Sequence, residues 1–276
     1  MSISAMSRTI GPKKALPPGR YGISGLLASE WTKLRSLRST MWTLGLTVVL
    51  GIGISALATA ETRAHWSSMS LGSRLSFDPT STSLIGVFFG QLTIGVLGVL
   101  VMTGEYGSGT IRATLAAAPR RALVLAAKAA VFGFVALVIA ETVSFLSYFL
   151  GQALLTAPAA HTTLSSPGAL RAVAGSGIYL GLIGLVALGL ATIIRHTAGS
   201  ISAFLGILLV LPILVHALPN SLANQIEKFM PDQIGASVVS LHQSDAFGAW
   251  TGLLLMCGYA VVLLVAGGVL LVRRDA

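Results

Sequence analysis

Charge is what this sequence has least of. Asp, Glu, Lys and Arg together make up 10% of its 276 residues, against roughly 25% in a typical soluble chain. There is one cysteine, Cys257. A disulfide within the chain is therefore impossible, and a thiolate-rich zinc or iron–sulfur site is excluded. Cys257 stands in an apolar run and is expected to be a small buried hydrophobe. No G-x-x-x-x-G-K-S/T phosphate loop occurs, so the chain is not expected to hydrolyse ATP itself. No H-E-x-x-H occurs, and His65, His161, His196, His216 and His242 show no metal-ligand spacing. No catalytic set, no metal and no cofactor is expected on this polypeptide. Gly22-Ile23-Ser24-Gly25 spells a serine-protease-like G-x-S-G, but it lies far from any apolar span and reads as chance.

What the chain does have is apolar surface. Hydrophobic residues make up 54%, and the mean hydropathy is +0.84. A water-soluble domain of this size has no use for so much, so lipid must be the solvent for much of the chain. A net charge of +9 would point to nucleic acid in a soluble protein, but in a membrane protein it points to basic groups gathered on one face.

A membrane helix needs roughly 20 mostly apolar residues. Six stretches qualify: 41–60, 83–104, 129–152, 172–194, 198–218 and 249–272. With the N-terminus placed in the cytoplasm, fourteen of the 18 Lys and Arg residues fall on the cytoplasmic side and four outside. The positive-inside rule favours this orientation, with both termini cytoplasmic. No nucleic-acid partner is expected, because the basic excess records topology. Arg outnumbers Lys, and Ala and Gly are abundant, a bias that fits a GC-rich bacterial genome and hence a bacterial cytoplasmic (inner) membrane.

Residues 1–22 read as a disordered basic tail without a secretory h-region. Over 23–38, the side chains of Ile23, Leu26, Leu27, Trp31, Leu34 and Leu37 share one arc of a helix, which predicts an amphipathic helix lying on the cytoplasmic leaflet. Trp31 is expected at headgroup depth, with Lys33, Arg35 and Arg38 towards lipid phosphates. Glu30 breaks the pattern: it either pairs with Lys33 at i+3 or meets a cytoplasmic partner. In the loop 104–128, Gly107 and Gly109 permit a reversal. Thr110 can cap a short helix that Pro119 stops.

SEWTKLRSLRSTMW (29–42) and GEYGSGTIRATLAAAPRR (104–121) resemble the two recurrent segments of ABC-2-type transporter permeases, the membrane subunits with type V exporter architecture. The resemblance implies an all-α integral membrane fold. It has an N-terminal interfacial helix, six transmembrane helices, a cytoplasmic coupling helix between spans two and three, and an external helical insertion between spans five and six. Residues 23–276 then form one transmembrane domain. The resemblance also implies that Glu105, Tyr106, Thr110, Ile111, Arg112 and Leu115, with Glu30, meet a separate ABC ATP-binding subunit. Two copies of that subunit would carry ATP and Mg, and a second membrane subunit, expected to be identical, would complete the transporter. ATP-driven export of an apolar or amphipathic compound is the implied activity.

Three further features stay open at this level. Gly86/Gly90 and Gly177/Gly181 are GxxxG pairs that serve either packing inside the subunit or a dimer seam. Leu222, Ile226 and Phe229 recur at helical spacing and predict a short external helix that lids the bundle. Glu141 is the one charge within the spans. A carboxylate at bilayer depth costs ~2.5 kcal/mol or more, so it should face protein or a wet cavity. It marks a possible translocation path, and the alternative to an ATP-driven permease is a proton- or ion-coupled carrier that uses it.

Overall fold

The computed structural model describes residues 22–117, 120–241 and 247–273, with only the backbone at Ala117. Within them every regular element is helical. Six helices are long and apolar enough to cross a membrane: Arg38–Ser68, Gly86–Gly107, Arg121–Leu154, Ala169–Ile194, Thr197–His216 and Ala249–Arg273. Each overlaps one of the six expected spans.

In chain order, α1 (Ile23–Ser36) precedes α2 (Arg38–His65), a 3-10 turn, α3 (Leu71–Leu75) and α4 (Pro79–Ser83). Next come α5 (Gly86–Gly107), α6 (Thr110–Ala117), α7 (Arg121–Leu154), α8 (Ala169–Ile194) and α9 (Thr197–Leu205). The chain closes with α10 (Leu211–His216), α11 (Asn220–Glu227), α12 (Pro231–Val239) and α13 (Ala249–Arg273). An even number of spans returns the chain to the end of the bundle where it began. That end, here the terminal end, carries α1, α6 and the turn between α8 and α9. The far end carries α3, α4, α11 and α12.

The bundle is built around α8, which packs on α5, α7 and α13. Small residues make this possible. Along α8, Ala172, Gly175, Gly177, Gly181, Gly184, Ala187 and Ala191 are all buried, so neighbouring backbones come close. A Cβ at Gly98 of α5 would overlap the Gly184 carbonyl, and one at Gly86 would overlap the Gly51 carbonyl of α2. Both GxxxG pairs therefore pack inside the subunit: Gly90 faces Leu180, Gly177 faces Glu141 and Gly181 faces Leu137. Among the described residues, Tyr148, Tyr179, Phe132 and Phe204 are the largest fully buried side chains.

The outward surface is apolar along the spans, as lipid requires. Trp42, Val49, Leu57, Phe134, Ile213, Leu254 and Val265 are all more than half exposed. Cys257 is exposed too, against expectation. It lies on the side of α13 away from α8, where an apolar run signals lipid rather than core.

Three local details modify this bundle. The first helix ends at Ser36, and Leu37 takes an extended conformation before α2 begins. Span five is not uniformly α-helical: a π-helical segment, Gly206–Val210, sits just before Pro212. Proline lacks the N–H for the i−4 carbonyl and its ring crowds that carbonyl, and a widened turn there relieves the conflict. At the far end, Leu222 and Ile226 of α11 and Phe229 just after it are all exposed by more than 40%, so α11 does not turn its apolar stripe onto the bundle. The cover is α12 instead, which packs on α8 and α13 and buries Ile234, Gly235 and Val238.

The far-end segments are tied together by side chains. Asp78 Oδ1 caps α4, accepting from the Thr80 and Ser81 amides. Its Oδ2 accepts from the Ser81 hydroxyl at 2.7 Å and from the Leu241 amide at 3.0 Å. One carboxylate thus joins the segment after span one to the segment before span six.

Candidate functional site: an ionic cluster at the terminal end

Four charged side chains from three helices meet under α6. Lys128 of α7 donates to Glu30 Oε2 of α1 at 2.6 Å and to Glu105 Oε1 of α5 at 2.8 Å. Lys33 of α1 donates to Glu30 Oε1 at 2.7 Å, to Glu105 Oε1 at 2.8 Å and to Thr114 Oγ1 of α6 at 3.3 Å. Two ammonium groups balance two carboxylates, so the cluster is neutral.

Local sequence explains how each group arrives. Glu30 and Lys33 are three apart and so share one face of α1. Leu34 on the same face is buried, which presses that face onto the bundle, and α1 packs chiefly on α7. Glu105 is one turn from the end of α5. Gly109 (φ 71) then supplies the left-handed residue that reverses the chain into α6, and Ile111 and Leu115 bury their side chains beneath it. Thr114 lies between them on the cluster side.

Burial sets the energetics. The side chains of Lys128, Glu30 and Glu105 are 3%, 5% and 11% exposed, and Lys33 is 31% exposed. Charges so placed are costly unless paired and hydrogen-bonded, and every one of the four is. Burial works against the Lys33 ammonium, but hydrogen bonds and charge from Glu105 and Glu30 outweigh it and hold its pKa above the ordinary 10.5. Glu105 Oε2 is buried without a hydrogen-bond partner among the described residues.

A second contact set lies beside the cluster. Arg195 occupies the reversal between α8 and α9 in a left-handed conformation (φ 62), unusual for a side chain with a Cβ. Its guanidinium donates to the Leu270 carbonyl of α13 at 2.8 Å and lies 5.5 Å from the centre of the Tyr106 ring. The Tyr106 hydroxyl is buried and has no hydrogen-bond partner among the described residues. The next residue, His196, caps α9 by accepting from the Gly199 amide at 3.1 Å.

The residues singled out from sequence thus divide. Glu30, expected to pair with Lys33 or to meet a partner, is 4% exposed and does pair with Lys33. Lys33, expected at the headgroups, spends its ammonium inside the protein. Trp31, Arg35 and Arg38 are exposed. Thr110 and Arg112 are exposed on α6, Ile111 and Leu115 are buried, and Tyr106 is half-buried. Thr110 is the first helical residue rather than the residue before it. Pro119 lies outside the described residues. Sequence reading gave Lys128 no role, since a lysine near the start of a span usually marks topology alone. Its burial depends on two carboxylates 98 and 23 residues away.

Glu141 is separate from all this. It sits mid-way along α7, half-buried, with its carboxylate against Gly177 of α8, where a Cβ would collide with it. Among the described residues no group of His, Cys, Asp and Glu has the arrangement of a metal site.

The model of the ABC-2 family transporter proteins matches residues 26–212. The chain belongs to the ABC-2 transporter family. It is a multi-pass permease, a membrane component of transport. The match runs from α1 into α10, so all four members of the ionic cluster and α6 lie in the part of the permease that the family shares, while α11, α12 and α13 lie beyond it. No curated protein matches the chain.

Proposed function

We propose that this permease is the membrane half of an ATP-driven exporter, with the terminal end facing the cytoplasm and docked to an ABC ATP-binding subunit. Two such subunits and a second copy of this chain complete the transporter in a bacterial cytoplasmic membrane. ATP and Mg sit on the partner. The cargo is apolar or amphipathic, in keeping with a bundle whose one charge mid-way along the spans is Glu141.

The observation that carries this reading is the neutral cluster of Glu30, Lys33, Glu105 and Lys128. It joins α1, α5 and α7, and Lys33 reaches α6 through Thr114. Charges this well buried act as one body, because separating any pair exposes an uncompensated charge. A push on the outer face of α6 is therefore delivered to spans two and three and to α1 together. That outer face is polar and accessible, with Arg112 and Ala113 exposed while Ile111 and Leu115 hold the inner face down. Closure of an ATPase pair against α6 would tilt the spans and switch a cavity between the two membrane faces.

Two changes test the docking. Replacing Arg112 by Glu, which alters the outer face alone, is expected to weaken co-purification with the ABC ATP-binding subunit while leaving the permease folded. Replacing 110–117 by a Gly-Ser linker is expected to abolish it. Undiminished co-purification after both changes would overturn the reading.

A further inference from the structure

A cavity of about 470 Å³ opens at the far end, between α4, α5, α8 and α12. Its size falls within the range of small-molecule sites, roughly 300–1,000 Å³. Leu84, Val87, Phe88 and Val239 make most of the wall apolar. The polar groups are few and mostly occupied with one another: the Tyr179 hydroxyl donates to Gln91 Oε1 at 2.6 Å and sits 2.9 Å from the Pro231 carbonyl.

Asp232 is the exception. It lines the cavity from the first turn of α12. The residue is half-buried. Its Oδ1 is shielded from solvent with no hydrogen-bond partner among the described residues, Oδ2 has a long contact of 3.4 Å with the Gln233 side-chain amide, and the backbone amides of the first turn of α12 support the charge. Among the described residues no Lys or Arg lines the cavity with it. His216 of α10 favours its charge through space. A carboxylate oxygen taken out of water without a partner is costly.

We propose that this cavity binds a lipophilic organic monocation, with Asp232 as its counter-ion and the Phe88 and Tyr179 rings against its apolar body. The chemistry selects against the other classes. An anion would face an uncompensated carboxylate. A divalent metal would find a single carboxylate and an apolar wall, too few hard oxygen ligands. A neutral ligand, even one donating a hydrogen bond to the carboxylate, would leave its charge uncompensated. Aromatic rings add attraction for a cation at close range. The inference deepens the permease reading by giving the cargo a charge, and it rests on that reading only in treating the ligand as cargo.

Direct binding tests it on the full chain in phosphatidylcholine nanodiscs, without the ATPase. The probes are tetraphenylphosphonium and tetraphenylborate, alike in shape and opposite in charge. Saturable binding of the phosphonium is expected, with none of the borate. Asp232→Asn should weaken phosphonium binding at least about tenfold, since removing one member of a desolvated charge pair costs that much or more. Asp232→Glu should retain most of it. Ala236→Leu, which narrows the cavity without touching charge, should also weaken it. No saturable phosphonium binding, equal binding by Asp232→Asn, or borate binding as tight as phosphonium would overturn the proposal. Because the assay contains no ATPase, its failure would leave the docking of α6 standing, and failed docking would leave the binding result standing.

Discussion

Lys128 and Glu30 stand 98 residues apart in the chain and form a 2.6 Å ion pair with both side chains at most 5% exposed. Removing one partner strands the other as a buried charge. Lys128→Met is therefore expected to destabilise the folded permease by roughly 3–5 kcal/mol. Lys128→Met combined with Glu30→Gln should cost less than the two single changes added, because the double variant leaves neither charge unpaired. Unfolding midpoints of the four proteins in one detergent check both statements. Strict additivity would mean that the pair is not coupled.

Lys33 gives the cluster a pH signature. Its pKa is raised in the folded chain by Glu105 and Glu30. A raised lysine contributes stability that is fully present below its unfolded value of 10.5 and is lost as pH rises through the folded value. Thermal stability should hold through mildly alkaline pH on this account and fall above that. A Lys33→Met variant, less stable at neutral pH, should show a smaller alkaline fall. Parallel curves for the two proteins would count against the cluster.

Asp232 carries the opposite expectation for a change to a neutral side chain. Burial raises its pKa above the ordinary 3.8, so the folded chain favours the protonated form. That contribution is complete below the unfolded pKa and is lost as pH rises through the folded one. At neutral pH the unligated Asp232→Asn protein should unfold at a higher temperature than the wild type, with the difference closing in acid. A lower midpoint at neutral pH would mean that the carboxylate supports the fold.

Backbone contact between spans makes a third kind of prediction. Gly98→Ala and Gly86→Ala each place a methyl where the carbonyl of a neighbouring helix already stands, and overpacking of this kind costs typically 1–3 kcal/mol. Gly53→Ala meets nothing within 4 Å and should be neutral or slightly stabilising, since alanine is the better helix former. The contrast is read from unfolding midpoints in one detergent. Equal effects at Gly53 and Gly98 would contradict the packing of α5 on α8.

The spans were legible because each is a long apolar run, a property of neighbouring residues. So was α6, announced by Gly109 ahead of Ile111 and Leu115. The meeting of Glu30 with Lys128 was not, because no local pattern encodes a contact across 98 residues. Glu30 showed only as a misfit on the apolar face of α1, and that misfit was the usable signal. Cys257 and the stripe of α11 misled for a shared reason: in lipid an apolar side chain need not face the core, so hydrophobicity alone does not say which way a helix turns. The cavity around Asp232 needs α4, α5, α8 and α12 at once, and Asp232 carried no mark in the sequence beyond an acid after a proline.

The central claim is that the outer face of α6 docks an ATPase subunit. A photo-crosslinking amino acid placed at Ala113, which is exposed on α6, tests it most directly, with His65 at the opposite end of α2 as the control position. In membranes holding the permease with its ABC ATP-binding subunit, irradiation is predicted to join the two chains from position 113 and not from position 65. Crosslinking from position 65, or none from position 113 while the two proteins co-purify, would contradict the account.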